Sequence, residues 1–178
     1  MHNTLLFSNI QNSLKVIFDL YPNLVHIINK IDEKNGITYL VGGAVRDIVL
    51  GHQVADMDIE VHGLELEVLS NILSNFGMVN FVGKSFGVIK MYGIPIDWSL
   101  PRTDMSGRKP YVYINPSMAI EDALRRRDLT MNAMAINLKT FEFIDPFGGL
   151  EDIKNKVLRS PDVSFFTQDP LRFYRVMQ

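Results

Sequence analysis

Residues able to handle a phosphate or a cation crowd into a few short stretches of this chain. In "LVGGAVRDIVLGHQVADMDIEV", residues 40 to 61, a run of apolar residues meets two glycines and an Arg-Asp pair, and two aspartates follow one residue apart. Asp56 and Asp58 fall in a stretch that alternates apolar and acidic residues, so a strand would send both carboxylates to one face. Two like charges so close are costly unless a cation lies between them, and hard oxygen ligands favour Mg²⁺. A solvated strand edge would give the same pattern. Asp97 lies in the apolar stretch "IPIDWSL", where a charge needs a partner. Brought beside Asp56 and Asp58 by a neighbouring strand, it would complete the three carboxylates that two-metal phosphoryl transfer requires. A half-exposed strand aspartate is the simpler alternative.

Gly42 and Gly43 separate an expected strand from an expected helix. Glycines there let backbone approach a ligand and aim N–H groups at an anion, and Arg46, one turn into the helix, could reach a polyphosphate. The stretch matches neither G-x-x-x-x-G-K-[ST] nor G-x-G-x-x-G, and a plain turn with a surface arginine remains open. Further on, "RRRDLTMNA" places Arg125, Arg126 and Arg127 at a helix end, where cations are favoured. Three adjacent side chains fan around a helix, so one of them must face inward or find an anion. Asp128 and Asn132 add groups suited to sugar hydroxyls or a base edge. Arg172 and Arg175, three apart, share one face of a helix expected to start at Asp169 and Pro170.

The elements that must position these groups follow from periodicity. Leu14, Ile17, Phe18, Leu24, Ile27, Ile28 and Ile31 mark two N-terminal helices broken at Tyr21-Pro22 and ending near Asn35-Gly36. "ITYLVGG" reads as a buried strand, "AVRDIVLG" as a short helix, "DMDIEVHG" as a strand and residues 64–75 as an amphipathic helix. "FGVIKMYGIPIDWSL" reads as a hairpin turning at residues 93–95, and "MAINL" with "FEFID" as another. Asn115 and Pro116 are expected to cap and open the helix that ends in the arginines. "DPFGG" is a turn, followed by a short helix over 150–157. "DPLRFYRVMQ" stops with no glycine, proline or polar taper, as expected of a fragment of a longer protein.

Composition narrows the classes. Net charge is −2, so a nucleic-acid partner would need a local basic patch. The absence of cysteine excludes disulfides and cysteine zinc sites and suits a cytoplasmic protein. No apolar run approaches the roughly 20 residues that span a bilayer, and no signal peptide is visible. His2, His26, His52 and His62 lack metal spacing and read as surface or packing residues. Trp98 and the phenylalanines read as core.

Taken together, "LVGGAVRD", "DMD", "RRRDLTMNAMAI", "DPFGGLEDIKNKVLR" and "DPLRFYRV" resemble, in order and spacing, the head of bacterial class II CCA-adding tRNA nucleotidyltransferases and their poly(A) polymerase relatives over roughly residues 38–178. The resemblance implies an α+β, DNA polymerase β-like nucleotidyltransferase fold, a short mixed sheet flanked by helices. It divides the chain into an N-terminal helical extension (1–36), a head (37–160) and the start of a neck helix (161–178). It implies that Asp56, Asp58 and Asp97 hold two catalytic Mg²⁺ ions. Gly42, Gly43 and Arg46 would take the triphosphate, and Arg127, Asp128 and Asn132 the nucleotide and its ribose. Arg172 and Arg175 would belong to the motif that joins head to neck, with Arg175 reaching the nucleotide. The implied activity is transfer of AMP and CMP from ATP and CTP to the 3′ end of tRNA. A poly(A) polymerase head, or an Mg–NTP-binding module without catalysis, are the alternatives. The family's base-reading motif would lie past Gln178, and Gln178 itself stands where many relatives carry arginine.

Overall fold

The computed structural model describes residues 2–82, 87–105, 111–167 and 172. Its first two helices form where apolar periodicity asked for them: α1 over His2–Leu20 and α2 over Pro22–Asp32. Proline at the first turn of α2 costs no hydrogen bond, because that N–H would have had no helical partner. Leu24, Ile27, Ile28 and Ile31 repeat at helical spacing and are buried, as are Ile10, Leu14 and Ile17 of α1.

Among the described residues one sheet has seven strands: β1 (Ile37–Val41), β2 (Met57–His62), β3 (Val79–Val82), β4 (Val88–Met91), β5 (Ile96–Ser99), β8 (Ala135–Asn137) and β9 (Phe143–Ile144), in the order β3-β4-β5-β2-β1-β8-β9. All neighbours are antiparallel except β2 and β5, so the sheet is mixed. That parallel pair is made possible by the crossover through α4 (Leu66–Ser74) and the β3–β4 excursion. A separate hairpin joins β6 (Arg102–Met105) to β7 (Tyr111–Ile114).

Strand alternation gives the sheet two different faces. Leu40 of β1, Ile59 and Val61 of β2, Ile89 of β4 and Trp98 of β5 point to one face. There they form a single core with α1, α2, α4 and Ala44, Val45 and Ile48 of α3 (Gly43–Leu50). The opposite face carries Tyr39, Val41 and Ala135, covered by Ile120 and Leu124 of α5 (Ile120–Arg125). This second face also receives Asp58, Glu60, His62 and Asp97. The chain is thus anchored by an apolar layer on one side and presents its polar groups on the other.

Three expectations need correction. Asn115 and Pro116 do not open α5, which begins at Ile120. Asn115 instead closes a turn, its carbonyl and side chain accepting from Met118 N and Ser117 N at 3.0 and 3.2 Å. A side chain that bonds its own backbone two residues on competes with helix formation. Asp56 is a bend residue one position before β2 rather than part of the strand. The helix after the "DPFGG" turn, α6, spans Gly149–Asn155, so it starts earlier and ends earlier than expected. A further short helix, α7 (Val163–Phe166), is capped by the Asp162 carboxylate. Asp169, Pro170 and Arg175 lie outside the described residues. Among the described residues no helix is long and apolar enough to cross a membrane.

Candidate functional site

The carboxylates meet through strand register. Asp58 pairs with Asp97 across the parallel β2–β5 ladder and with Val41 of β1 on its other side. Two aspartates directly opposite on one face repel, and the acidity of Asp58 registers it. Its pKa is raised by desolvation first, with Asp97, Asp56 and Glu60 adding to the rise and the Arg127 guanidinium opposing it. Asp97 is relieved on its far side, where Lys90, its register partner on β4, brings Nζ to 2.9 Å from Oδ2. Among the described residues no three His, Asp or Glu groups are gathered tightly enough, as the side chains stand, to hold a metal ion. The donor set nevertheless fits a hard divalent cation: Asp58 and Asp97 are adjacent oxygen donors with a surplus of negative charge, and Asp56 lies two residues from Asp58.

Gly42 links this acidic row to the arginines. Its φ of 74° and ψ of −139° put it in a region that residues with a Cβ avoid. A Cβ built there would lie 2.8 Å from Arg127 Nη1 and 3.4 Å from Asp58 Oδ2. Only glycine leaves room for a guanidinium and a carboxylate to converge on this backbone. Burial lowers the pKa of Arg127, with Glu60 and Asp58 pulling the other way, and its Nε has no hydrogen-bond partner among the described residues. A partly desolvated cation with an unused donor beside a bare turn is suited to an anion.

The next glycine begins α3, whose first N–H groups have no helical partner and carry the positive end of the helix dipole. Arg46 folds back beside Gly43, its Nη2 3.5 Å from the position of a Cβ there. Asp47 Oδ1 accepts from Arg46 Nε and Nη2 at 3.0 and 2.9 Å, and Asn132 Oδ1 accepts from Nη1 at 3.0 Å. Asn132 in turn donates to Asp128 Oδ1 at 3.1 Å. The 3₁₀ turn Thr130–Asn132 is held from behind: Thr130 Oγ1 donates to buried Asp152, Arg159 donates to the same carboxylate at 2.9 Å, and Arg159 O accepts from Thr130 N at 2.8 Å. The "DPFGGLEDIKNKVLR" stretch therefore braces the turn that fixes Asn132.

Behind Asp58 on the same strand face lies a buried charge cluster that sequence reasoning did not single out. Glu60, 1 % exposed, accepts from Arg126 Nη2 at 3.1 Å and faces His62 Nε2 at 3.0 Å. His62 Nδ1 faces the Met118 carbonyl at 2.9 Å, so both ring nitrogens meet oxygen atoms. Burial alone would raise the Glu60 pKa, but the His62 hydrogen bond and the charges of Arg127, Arg126 and His62 bring it down to about 2. Of the three adjacent arginines only Arg125 stays outward, over the Phe147 ring and 3.8 Å from Asp122; Arg126 and Arg127 turn inward. The signal was present in the sequence, because Asp56, Asp58, Glu60 and His62 share one period-two face.

The structure thus joins Asp97, Asp58, Arg127, Gly42, Gly43, Arg46, Asn132 and Asp128 in one continuous set of contacts, with Asp56 at its edge. Arg172 is placed differently. It is buried, donates to Phe165 O at 2.8 Å and stacks 3.9 Å from that residue's ring, which ties it to α7.

Comparison with known proteins adds an independent line. Residues 38–159 match the family described as the poly A polymerase head domain. A CCA-adding enzyme of Coxiella burnetii (strain RSA 331 / Henzerling II) is 41 % identical over 142 residues, covering 78 % of this chain and 36 % of that protein. An A-adding tRNA nucleotidyltransferase of Aquifex aeolicus (strain VF5) is 35 % identical over 146 residues, covering 79 % and 18 %. The crystal structure of the Bacillus stearothermophilus CCA-adding enzyme in complex with CTP superposes with a TM-score of 0.72 at 31 % identity, covering 87 % of this chain and 37 % of that one. The chain spans a third or less of the length of the curated relatives it matches here, save for slightly more in Coxiella.

Proposed function

Because the chain belongs to the poly A polymerase head-domain family, we propose that it is the nucleotidyltransferase head of a template-independent RNA nucleotidyltransferase that adds CMP and AMP to the 3′ end of tRNA and releases pyrophosphate. The observation that carries this reading is the convergence of Asp58, Asp97, Arg127 and the Gly42–Gly43 turn on one face of the sheet. Two relatives are named for CCA addition and A addition, and one solved neighbour holds CTP, which suits ATP and CTP as substrates.

In this reading Asp56, Asp58 and Asp97 would hold two Mg²⁺ ions, whose charge would favour ionisation of the attacking RNA hydroxyl and offset charge on the phosphates. The chain's own residues do the positioning. Gly42 keeps the turn bare so that the phosphates reach backbone N–H groups at the start of α3. Arg46, steadied by Asp47 and Asn132, and Arg127, steadied by the buried Glu60 charge, hold negative charge as it shifts to the leaving pyrophosphate. Asp128 and Asn132 meet the ribose. Residues 1–36 are taken as a helical extension, 37–160 as the head and 161–178 as the start of a neck, where Arg172 braces α7 through Phe165. The setting is the cytoplasm.

The family description itself favours a second reading, a head that makes poly(A). The short share of its relatives that the chain covers favours a third, in which the chain alone binds Mg–nucleotide without transferring it. One experiment separates them: α-³²P-labelled CTP and ATP are offered with tRNA ending before its CCA, to the chain and to the full-length protein that carries it. CCA addition by the full-length protein, lost in the double variant Asp56→Ala/Asp58→Ala, supports the first reading. A long A-only product supports the second. Wild-type turnover in the double variant, or release of inorganic phosphate in place of pyrophosphate, overturns the assignment.

A further inference from the structure

Among the described residues, Lys90 is a cation that the sheet itself places beside the carboxylates. It sits on β4 directly across from Asp97, which sits directly across from Asp58, so ammonium, carboxylate and carboxylate form a row over three adjacent strands. Its Nζ lies 2.9 Å from Asp97 Oδ2, and the side chain is half-exposed, free to swing into water on its long stem. Asp97, Asp56 and Asp58 all raise its pKa, so the ammonium sits in the field of the whole acidic group. A carboxylate oxygen engaged by an ammonium at this distance is not free to ligate a divalent ion at full strength.

We propose that Lys90 is a positioning residue, a displaceable counterion that holds Asp97 toward β4 in the metal-free protein and must be moved aside when a divalent cation enters. The proposal rests on the reading that Asp56, Asp58 and Asp97 are cation ligands. Its consequence is that Lys90 weakens intrinsic cation affinity while stabilising the metal-free state, a trade that a purely structural lysine would not make.

The test is a Mn²⁺ titration of the chain followed by the electron paramagnetic resonance signal of the free ion, without nucleotide or RNA. Lys90→Met is expected to bind Mn²⁺ about two- to fivefold more tightly than wild type, the range set by an exposed ion pair. Lys90→Arg is expected to match wild type. In an Asp97→Asn background Lys90→Met should change nothing, because the competed oxygen charge is gone. Equal or weaker Mn²⁺ binding by Lys90→Met, with binding still lost in Asp58→Asn, overturns the role of Lys90 and leaves the metal reading intact. Binding by Asp58→Asn equal to wild type removes the metal reading and the proposal with it.

Discussion

Replacing each of the two adjacent glycines by alanine should have opposite effects, and the difference can be worked from the backbone. Gly42 has φ 74° and ψ −139°, so Gly42→Ala forces a side chain into a conformation that costs on the order of 1–3 kcal/mol. Its Cβ would also sit 2.8 Å from Arg127 Nη1, so the guanidinium must move away from the turn. For a domain of this size each kcal/mol lowers Tm by about 2–4 °C, giving a drop of about 2–12 °C. If Arg127 grips phosphate, losing that charged contact costs about 1.5–3 kcal/mol, or roughly ten- to hundredfold in nucleotide affinity. Gly43 is the first residue of α3, its added Cβ would come no nearer than 3.5 Å to a neighbour, the flexible Arg46 guanidinium, and alanine favours a helix. Gly43→Ala should therefore leave Tm unchanged or raise it by a degree or two. Differential scanning calorimetry and titration with Mg–CTP measure both. Equal Tm and equal nucleotide affinity for wild type and Gly42→Ala would refute the argument from crowding, as would equal destabilisation by the two substitutions.

Glu60→Gln should destabilise the chain by about 3–5 kcal/mol in urea unfolding, because it leaves Arg126 and His62 facing a buried neutral amide. With its folded pKa near 2 and an unfolded value near that of an ordinary glutamate, Glu60 adds stability above about pH 4.5 that is lost as pH falls toward 2; Glu60→Gln should flatten that acid limb. Asp58 behaves in the opposite sense, since its raised pKa makes the metal-free chain less stable as pH rises through the carboxylate range. Asp58→Asn is thus expected to hold or raise Tm while abolishing metal-dependent nucleotide binding, and a lowered Tm would show that the aspartate is structural. Arg159→Ala should cost about 1–2 kcal/mol by removing the charged bond to Asp152 and loosening the turn that carries Asn132, read by chemical denaturation together with nucleotide affinity.

Much of this arrangement was legible before any coordinates. Period-two alternation placed Asp58 on a strand face, although Asp56, expected beside it, lies just before the strand; helical periodicity gave α1 and α2, and an apolar strand with a lone Asp97 signalled a charge in need of company. The resemblance of five short blocks supplied the fold. What sequence could not supply was register. That Asp97 sits opposite Asp58 depends on a parallel pairing between strands 39 positions apart in sequence, and that Lys90 sits opposite Asp97 depends on where the hairpin turns. The inward turn of Arg126 was equally hidden, because it depends on Glu60 reaching across from another element. Asn115 misled for a local reason: the residues that cap helices also build isolated turns, and the competition is decided by neighbours.

The most direct measurement is calorimetric titration of CTP and ATP into the chain with and without Mg²⁺, for wild type, Asp58→Asn and Arg127→Ala. The carboxylate row beside the glycine turn predicts binding that requires Mg²⁺ and is lost in both variants. Nucleotide binding of equal strength in chelator, or unchanged in Asp58→Asn, would contradict it.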